Sequence, residues 1–253
     1  MRKIEGQKTL LGRTMHSIAY DEIHDEFFVP VPFPQAILAF RGGANGEEAP
    51  VRFIQGPRTR LMRPMRLAVD PVHNEIFVPY SNRVLVFPRD GNGDVAPIRE
   101  LRGPDTLLGA SAVAVDPVHN LLIVVGDLPG EDPAAPRIFI FNRTDEGNVK
   151  PKAIIGGPKS GFLGLSGPFT VYPPRGWIIL GSRGEGELVS EEAYVGVWSI
   201  EDNGDVPPRW KIGGPNGVLQ MPRGVTLDPK NKELIVSDKR LNAVMTFYFP
   251  EIF

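Results

Sequence analysis

Apolar residues along this chain come in short runs, each broken by Gly, Pro, Asn or Asp within a few positions. The clearest stretch spans residues 56–99, GPRTRLMRPMRLAVDPVHNEIFVPYSNRVLVFPRDGNGDVAPIR. Four strands are expected in it. RLAVD (66–70) is short with small apolar residues, and EIFVP (75–79) and RVLVF (83–87) are rich in Val, Ile and Phe. PIREL (97–101) alternates apolar with polar positions, as a half-buried strand does. These are strands a, b, c and d of one unit. Between a and b stands DPVHNE, whose Pro and Asn suit a chain reversal. Between c and d stands DGNGD, where Asn92-Gly93 is expected to make a tight hairpin with both residues at positive φ.

The unit recurs. LAVDP (67–71), VAVDP (113–117) and VTLDP (225–229) share the Asp-Pro after an apolar run, with IAYDE (18–22) and FTVYP (169–173) as variants. The markers Asp21, Asp70, Asp116, Tyr172 and Asp228 are spaced by 49, 46, 56 and 56 residues. The c–d turn recurs as Asn45-Gly46 and Asn203-Gly204, with Gly147-Asn148 as a variant. A repeat of roughly 50 residues marks an array or a propeller. Four antiparallel strands per repeat make the blade of a β-propeller. The expected fold is therefore all-β, a five-bladed β-propeller of four-stranded antiparallel blades forming one domain over residues 1–253. MRKIEG (1–6) matches the strand-d sequence IRELRG (98–103), and the chain ends just beyond a strand c, AVMTF (243–247). The N-terminal strand is thus expected to complete the last blade and close the ring.

MPRGVTLDP (221–229) followed by ELIVSDKRLNAVMTF (233–247) resembles an NHL repeat, with its P-x-G start, Asp-ended strand, apolar run, Asp, Asn and further strand. The other repeats match it more loosely. The resemblance implies a propeller and leaves function open, because such propellers include binding scaffolds and enzymes.

Composition narrows the chemistry. Cysteine is absent, which excludes disulfides, thiolate metal sites and a cysteine nucleophile. The net charge of −2 gives no bulk attraction to nucleic acid or membranes, and no apolar run is long enough to span a bilayer. A soluble chain is expected. No signal peptide follows Arg2 and Lys3, so the cytoplasm is the default compartment, or an extracytoplasmic one if the chain starts after processing or truncation.

Two repeats carry long b–c connections, GDLPGEDPAAPR (126–137) and GSRGEGELVSEEAY (181–194). In a propeller the b–c and d–a connections share one rim, here the top, so both insertions are expected to overhang it. Loops this long are functional more often than not. The d–a connections carry Lys8, Arg13, Arg58, Arg60, Arg63, Arg66, Lys159 and Arg223 against only Asp105, while the a–b and c–d connections are acidic. A basic mouth beside acidic overhangs suits an anionic or mixed-charge partner.

Candidate chemistry is sparse. His24, His73 and His119 occupy one turn position in three repeats and are expected to pack the turn. His16 stands alone, at the expected start of a strand a facing the axis, and its equivalents include Met65, Ser111, Gly167 and Arg223, with Arg66 beside them. The candidate binding residues are His16, Met65, Arg66, Ser111, Arg223, and Asp127 and Arg183 in the insertions. In repeat style the chain partly resembles gluconolactonase-like propellers, which hold a divalent ion with Glu, Asn and Asp at the channel; the corresponding positions here offer no such set, so no metal and no cofactor is expected. DGNGD lacks the later glutamate of a calcium loop, and no nucleophile elbow is present. GPRT, GPDT and GPKS are expected as crossovers between blades, since a phosphate loop needs a helix behind it. Arg58, Arg60, Arg63 and Arg66 with Phe33 or Tyr80 give a weak RNA-binding pattern, opposed by the acidic insertions.

The expected function is a non-enzymatic binding module engaging a protein or an anionic small-molecule ligand at the top rim. The alternative is a lactonase-like hydrolase or lyase with His16 as acid or base and Arg66 and Arg223 holding an anionic substrate. A structural subunit of a larger assembly is a third reading.

Overall fold

In the computed structural model, which describes residues 2–130, 136–162, 169–182 and 193–253, the chain folds into five antiparallel sheets with only short 3-10 turns besides. Sheet 1 holds β1 (Ala19–Asp21), β2 (Glu26–Val31), β3 (Ala36–Arg41) and β4 (Arg52–Ile54) in sequence order. Sheet 2 holds β5 (Ala68–Asp70), β6 (Glu75–Tyr80), β7 (Arg83–Pro88) and β8 (Arg99–Arg102). Sheet 3 holds β9 (Ala110–Asp116), β10 (Leu121–Asp127), β11 (Pro136–Asn142) and β12 (Ala153–Ile155). Sheet 4 holds β13 (Phe169–Tyr172), β14 (Trp177–Ser182), β15 (Tyr194–Ser199) and β16 (Trp210–Gly213). Sheet 5 has three strands, β17 (Pro222–Asp228), β18 (Glu233–Asp238) and β19 (Ala243–Tyr248). The a–b–c–d order read from residues 66–101 is that of sheet 2, with strand a starting two residues later. Among the described residues no helix is long and apolar enough to cross a membrane.

Two compact units are present, residues 1–106 with 145–149, and residues 107–144 with 150–253. In the first, sheets 1 and 2 pack through Phe28, Ile37, Ile54, Ile76, Val78, Leu85 and Phe87. In the second, Ile123, Ile138, Ile140, Ile178, Leu180 and Trp198 join sheets 3 and 4, and Val195, Val197, Leu234 and Val236 join sheets 4 and 5. In sheets 1 to 4 the middle strands b and c are buried on both faces, which is why their sequences run apolar without alternation, whereas β18 and β19 of sheet 5 alternate.

The Asp that ends strand a closes the a–b turn. Asp21, Asp70 and Asp116 are fully buried, and each Oδ1 accepts the N–H groups two and three residues on, at 3.0 Å. Oδ2 meets Nδ1 of His24, His73 or His119 at 2.7–2.8 Å. The expected turn-packing role of these three histidines is thus what the contacts describe. In sheet 5, Asn231 takes the histidine's place beside Asp228.

The c–d connection departs from the expected tight hairpin. It covers residues 42–51, 89–98, 143–152 and 200–209 in sheets 1 to 4. Only the glycine takes positive φ, from 66° to 80° at Gly46, Gly93, Gly147 and Gly204. Asn45, Asn92 and Asn203 instead use the side-chain carbonyl, which accepts the backbone N–H of Lys3, Phe53 or Ile154 at 3.0–3.3 Å. The glycine then bridges the preceding strand d, pairing with Ile4, Ile54, Leu101 and Ile155 in turn. One position later an acid or amide caps the next crossover, Asp94 accepting Arg58 N–H, Asn148 accepting Asp105 N–H and Asp205 accepting Lys159 and Ser160 N–H, at 2.7–3.0 Å. The motif is a clasp between successive repeats.

Closure of the fifth sheet by residues 1–6 is not shown. Sheet 5 ends at β19, and the backbone of Lys3 and Glu5 bonds to Gly46 at 2.7 and 3.0 Å. Ile4 does stand where a strand d would, since its bridge to Gly46 repeats those of the three other d strands.

Charged side chains fasten the first unit. Glu26 accepts both Nη groups of Arg52 at 2.6–2.8 Å and Nη1 of Arg89 at 2.6 Å. Hydrogen bonding to Arg52 holds the Glu26 carboxyl below the usual carboxylate range, against the opposing effect of burial. A carboxyl whose pKa falls on folding adds stability above its unfolded pKa, and that stability is lost as pH falls through the folded value. Arg52→Met is therefore expected to lower the urea midpoint at pH 7 and to leave a shallower decline between pH 5 and pH 3 than the parent shows.

Candidate functional site

A concave feature with both apolar and charged side chains lies in the first unit, where three connections meet. The b–c turn of sheet 1, 32–35, is Pro-Phe-Pro-Gln, and the prolines on either side limit the backbone around Phe33. Phe33 stands 69% exposed at its tip. The d–a crossover follows β4 through a 3-10 turn at Pro57–Thr59, where buried Thr59 donates to the Gly56 carbonyl at 2.6 Å. Past that turn come Arg60, buried Leu61 and half-exposed Met62. The third element is the start of β7, at Arg83.

Together they line an open hollow of about 750 Å³. Phe33, Pro34, Pro57, Leu61 and Met62 give it apolar walls, and Gln35, Gln55, Arg60 and Arg83 give it polar ones. Glu100 of β8 takes Arg60 Nη1 on one oxygen at 2.6 Å and Arg83 Nη1 on the other at 3.1 Å. Two guanidinium groups share one carboxylate, which leaves the wall with a surplus positive charge. Gln55 donates to the Pro34 carbonyl at 2.9 Å and ties crossover to turn. Sequence reading singled out Phe33 and Arg60 separately, as an RNA pattern. It missed Arg83, Glu100 and Met62, which carry no motif and lie up to 67 residues from Phe33.

A second cavity, about 730 Å³, also belongs to the first unit and holds His16 with Arg2, Met15, Ser17 and Ile18. His16 precedes β1, which begins only at Ala19, so it is not on a strand a as expected. Met65 and Arg66 precede β5 in the same way and do not line this cavity. In the second unit, Ser111 lies in β9 and its hydroxyl donates to Val125 O at 2.9 Å, while exposed Arg223 lies in β17. Strand a starts late in sheets 1 and 2 because pairing with strand b there covers only three residues.

Of the insertions, 126–137 has residues 131–135 outside the described residues, and 181–194 has residues 183–192 outside them, Arg183 included. Gly167 also falls outside. Asp127, at the end of β10, has its carboxyl raised by burial, and its N–H donates to Gly109 O at 3.2 Å. Burial pushes the Tyr194 phenol up to about 12, so it stays protonated at neutral pH and donates to Gly161 O at 2.7 Å. In the crossovers after Gly56 and Gly157 the turn N–H groups are already taken, by Asp94 and by Asp205. That also corrects the expected division of charge, because these c–d acids sit at d–a turns. The c–d connection is long enough to run along the preceding strand d. Among the described residues no group of three or more His, Asp or Glu could hold a metal.

These sheets define an all-β protein of the five-bladed β-propeller class. No protein-family model matches the chain, and no curated protein matches it. Solved propeller structures do. Kuenenia stuttgartiensis hydrazine synthase is similar at a TM-score of 0.60 and 14% identity, over 88% of this chain and 55% of that one. A nidogen/laminin complex structure gives 0.58 at 17% identity, over 91% and 78%. The propeller domain of Myceliophteria thermophila Cps50 (Swd1) gives 0.58 at 12%, over 93% and 65%. The chain thus spans about half of the hydrazine synthase chain it matches. At these identities the likeness is one of fold.

Proposed function

We propose that this chain is a non-enzymatic binding module, an NHL-like propeller working as one domain over 1–253, which engages a protein or an anionic ligand through its b–c and d–a connections. In the first unit Arg58, Arg60 and Arg63 supply charge, and in the second the insertions 126–137 and 181–194 supply specificity. The observation that carries this reading is the cavity between Phe33, Met62, Arg60 and Arg83, an apolar hollow with a cationic wall. Such a surface suits recognition, since apolar walls give affinity and a few placed polar groups give orientation. One propeller neighbour, the nidogen/laminin complex, is an assembly of proteins.

Shortening both insertions to two-residue turns is expected to abolish capture of the natural partner from an extract of the source cells, with the circular-dichroism spectrum and melting temperature retained. Unchanged capture removes the reading.

His16 and Ser17 beside Arg2 favour one second reading, a lactonase-like hydrolase or lyase acting on an anionic small molecule. Its check is a lactone-hydrolysis screen with His16→Ala as control. Activity that survives the substitution, or none at all, rejects it.

A further inference from the structure

We infer that the cavity between the 32–35 turn and the 57–62 crossover binds a short peptide segment carrying a carboxylate side chain next to a large apolar one. The inference deepens the binding-module reading and rests on it.

Charge selects the anion. Arg60 and Arg83 converge on Glu100, and two cations against one carboxylate leave a single positive charge uncompensated in the wall. Arg60 has a 47% exposed side chain, so its remaining N–H groups face solvent and can take a second carboxylate without breaking the first pair. Arg83 is held more tightly, with a 17% exposed side chain, and acts as the fixed part of the clamp. One surplus charge matches one acidic side chain. A nucleic-acid backbone, with a phosphate at every nucleotide, is disfavoured by the Asp94 carboxylate, which accepts the N–H of Arg58 in the same crossover.

The apolar walls select the neighbour. Phe33 is mostly exposed and is displayed between two prolines, so little rotational freedom is lost when it becomes an anchor. Met62 is 48% exposed and adaptable, and it complements Phe33 as a soft surface. A lone aromatic with aliphatic walls fits a Leu, Met, Phe or Trp side chain better than a stack of bases. The Gln35 amide, which no other described group engages, lies at the same wall and can read a peptide backbone.

The test selects a phage-displayed random heptapeptide library on the full chain. The enriched sequences are then made as fluorescein-labelled peptides and titrated by anisotropy. The expected consensus is Asp or Glu adjacent to a large apolar residue. Replacing that acid by its amide should weaken binding at least tenfold, as should Phe33→Ala and Arg60→Ala separately. Met62→Ala should weaken it several-fold. Phe33 is at an exposed turn tip, and Arg60→Ala leaves Glu100 paired with Arg83, so matching melting curves are expected for both variants. A consensus without a carboxylate, or binding indifferent to Phe33 and Arg60, overturns the inference. So does a fluorescein-labelled oligouridylate whose binding depends on those two residues. Natural-partner capture lost on shortening the insertions but intact in Phe33→Ala/Arg60→Ala removes this site and leaves the binding module standing.

Discussion

Replacing Asp70 by alanine is expected to destabilise the protein by about 3 kcal/mol, read as a fall in the urea midpoint without change in slope. The carboxylate is fully buried and accepts hydrogen bonds from Val72 and His73 N–H and from His73 Nδ1. Bonds to a charged acceptor contribute roughly 1.5–3 kcal/mol each. The lost sum is reduced because Val72 and His73 are exposed and water can reach their N–H groups. Removing the imidazole instead, in His73→Ala, deletes one bond and leaves the turn capped, so about 1.5 kcal/mol is expected, the lower end of that range because the ring is partly exposed. A larger loss from His73→Ala than from Asp70→Ala would mean that the ring, and not the carboxylate, holds the turn.

Gly126→Ala is expected to cost about 3 kcal/mol, at the upper end for overpacking a tight core. A Cβ at Gly126 would strike the Gly109 carbonyl and the Ala110 Cα, and one at Gly109 would strike the Asp127 carbonyl. Two bare backbones touch there, at the register shift between Val125 and Gly126 where β10 leaves its pairing with β9. No rotamer can relieve such a clash, so the strands must separate. Gly130→Ala is the control. It has φ of 83° but nothing near its Cβ, so only left-handed strain of about 1 kcal/mol applies. Equal midpoints for the two variants would remove the close-approach argument. Asp127 follows directly, so Gly126→Ala should also disturb any recognition by the 126–137 insertion.

Residues near one another in sequence made much of this architecture readable. Asp-Pro before His or Asn names the a–b turn because the cap and the groups it caps lie within three residues. Strands b and c of sheets 1 to 4 announce themselves because burial on both faces demands runs of Val, Ile, Leu and Phe. The candidate site was legible only in fragments. Phe33 and Arg60 stood out by residue type, whereas Arg83 and Glu100 look like ordinary polar positions on β7 and β8. His16 was placed on a strand by analogy with its repeats, although strand a of sheet 1 is too short to reach it.

Local backbone preference and periodic burial suffice to specify the repeat, its four-strand order and the positions of its turns. Tertiary structure alone decided that Asn-Gly-Asp is a clasp on the preceding repeat, and that Phe33, Arg60 and Arg83 share one hollow. Those contacts join groups tens of residues apart, where any residue of suitable size and charge can serve, so no local pattern marks them. Their geometry exists only once the sheets have packed.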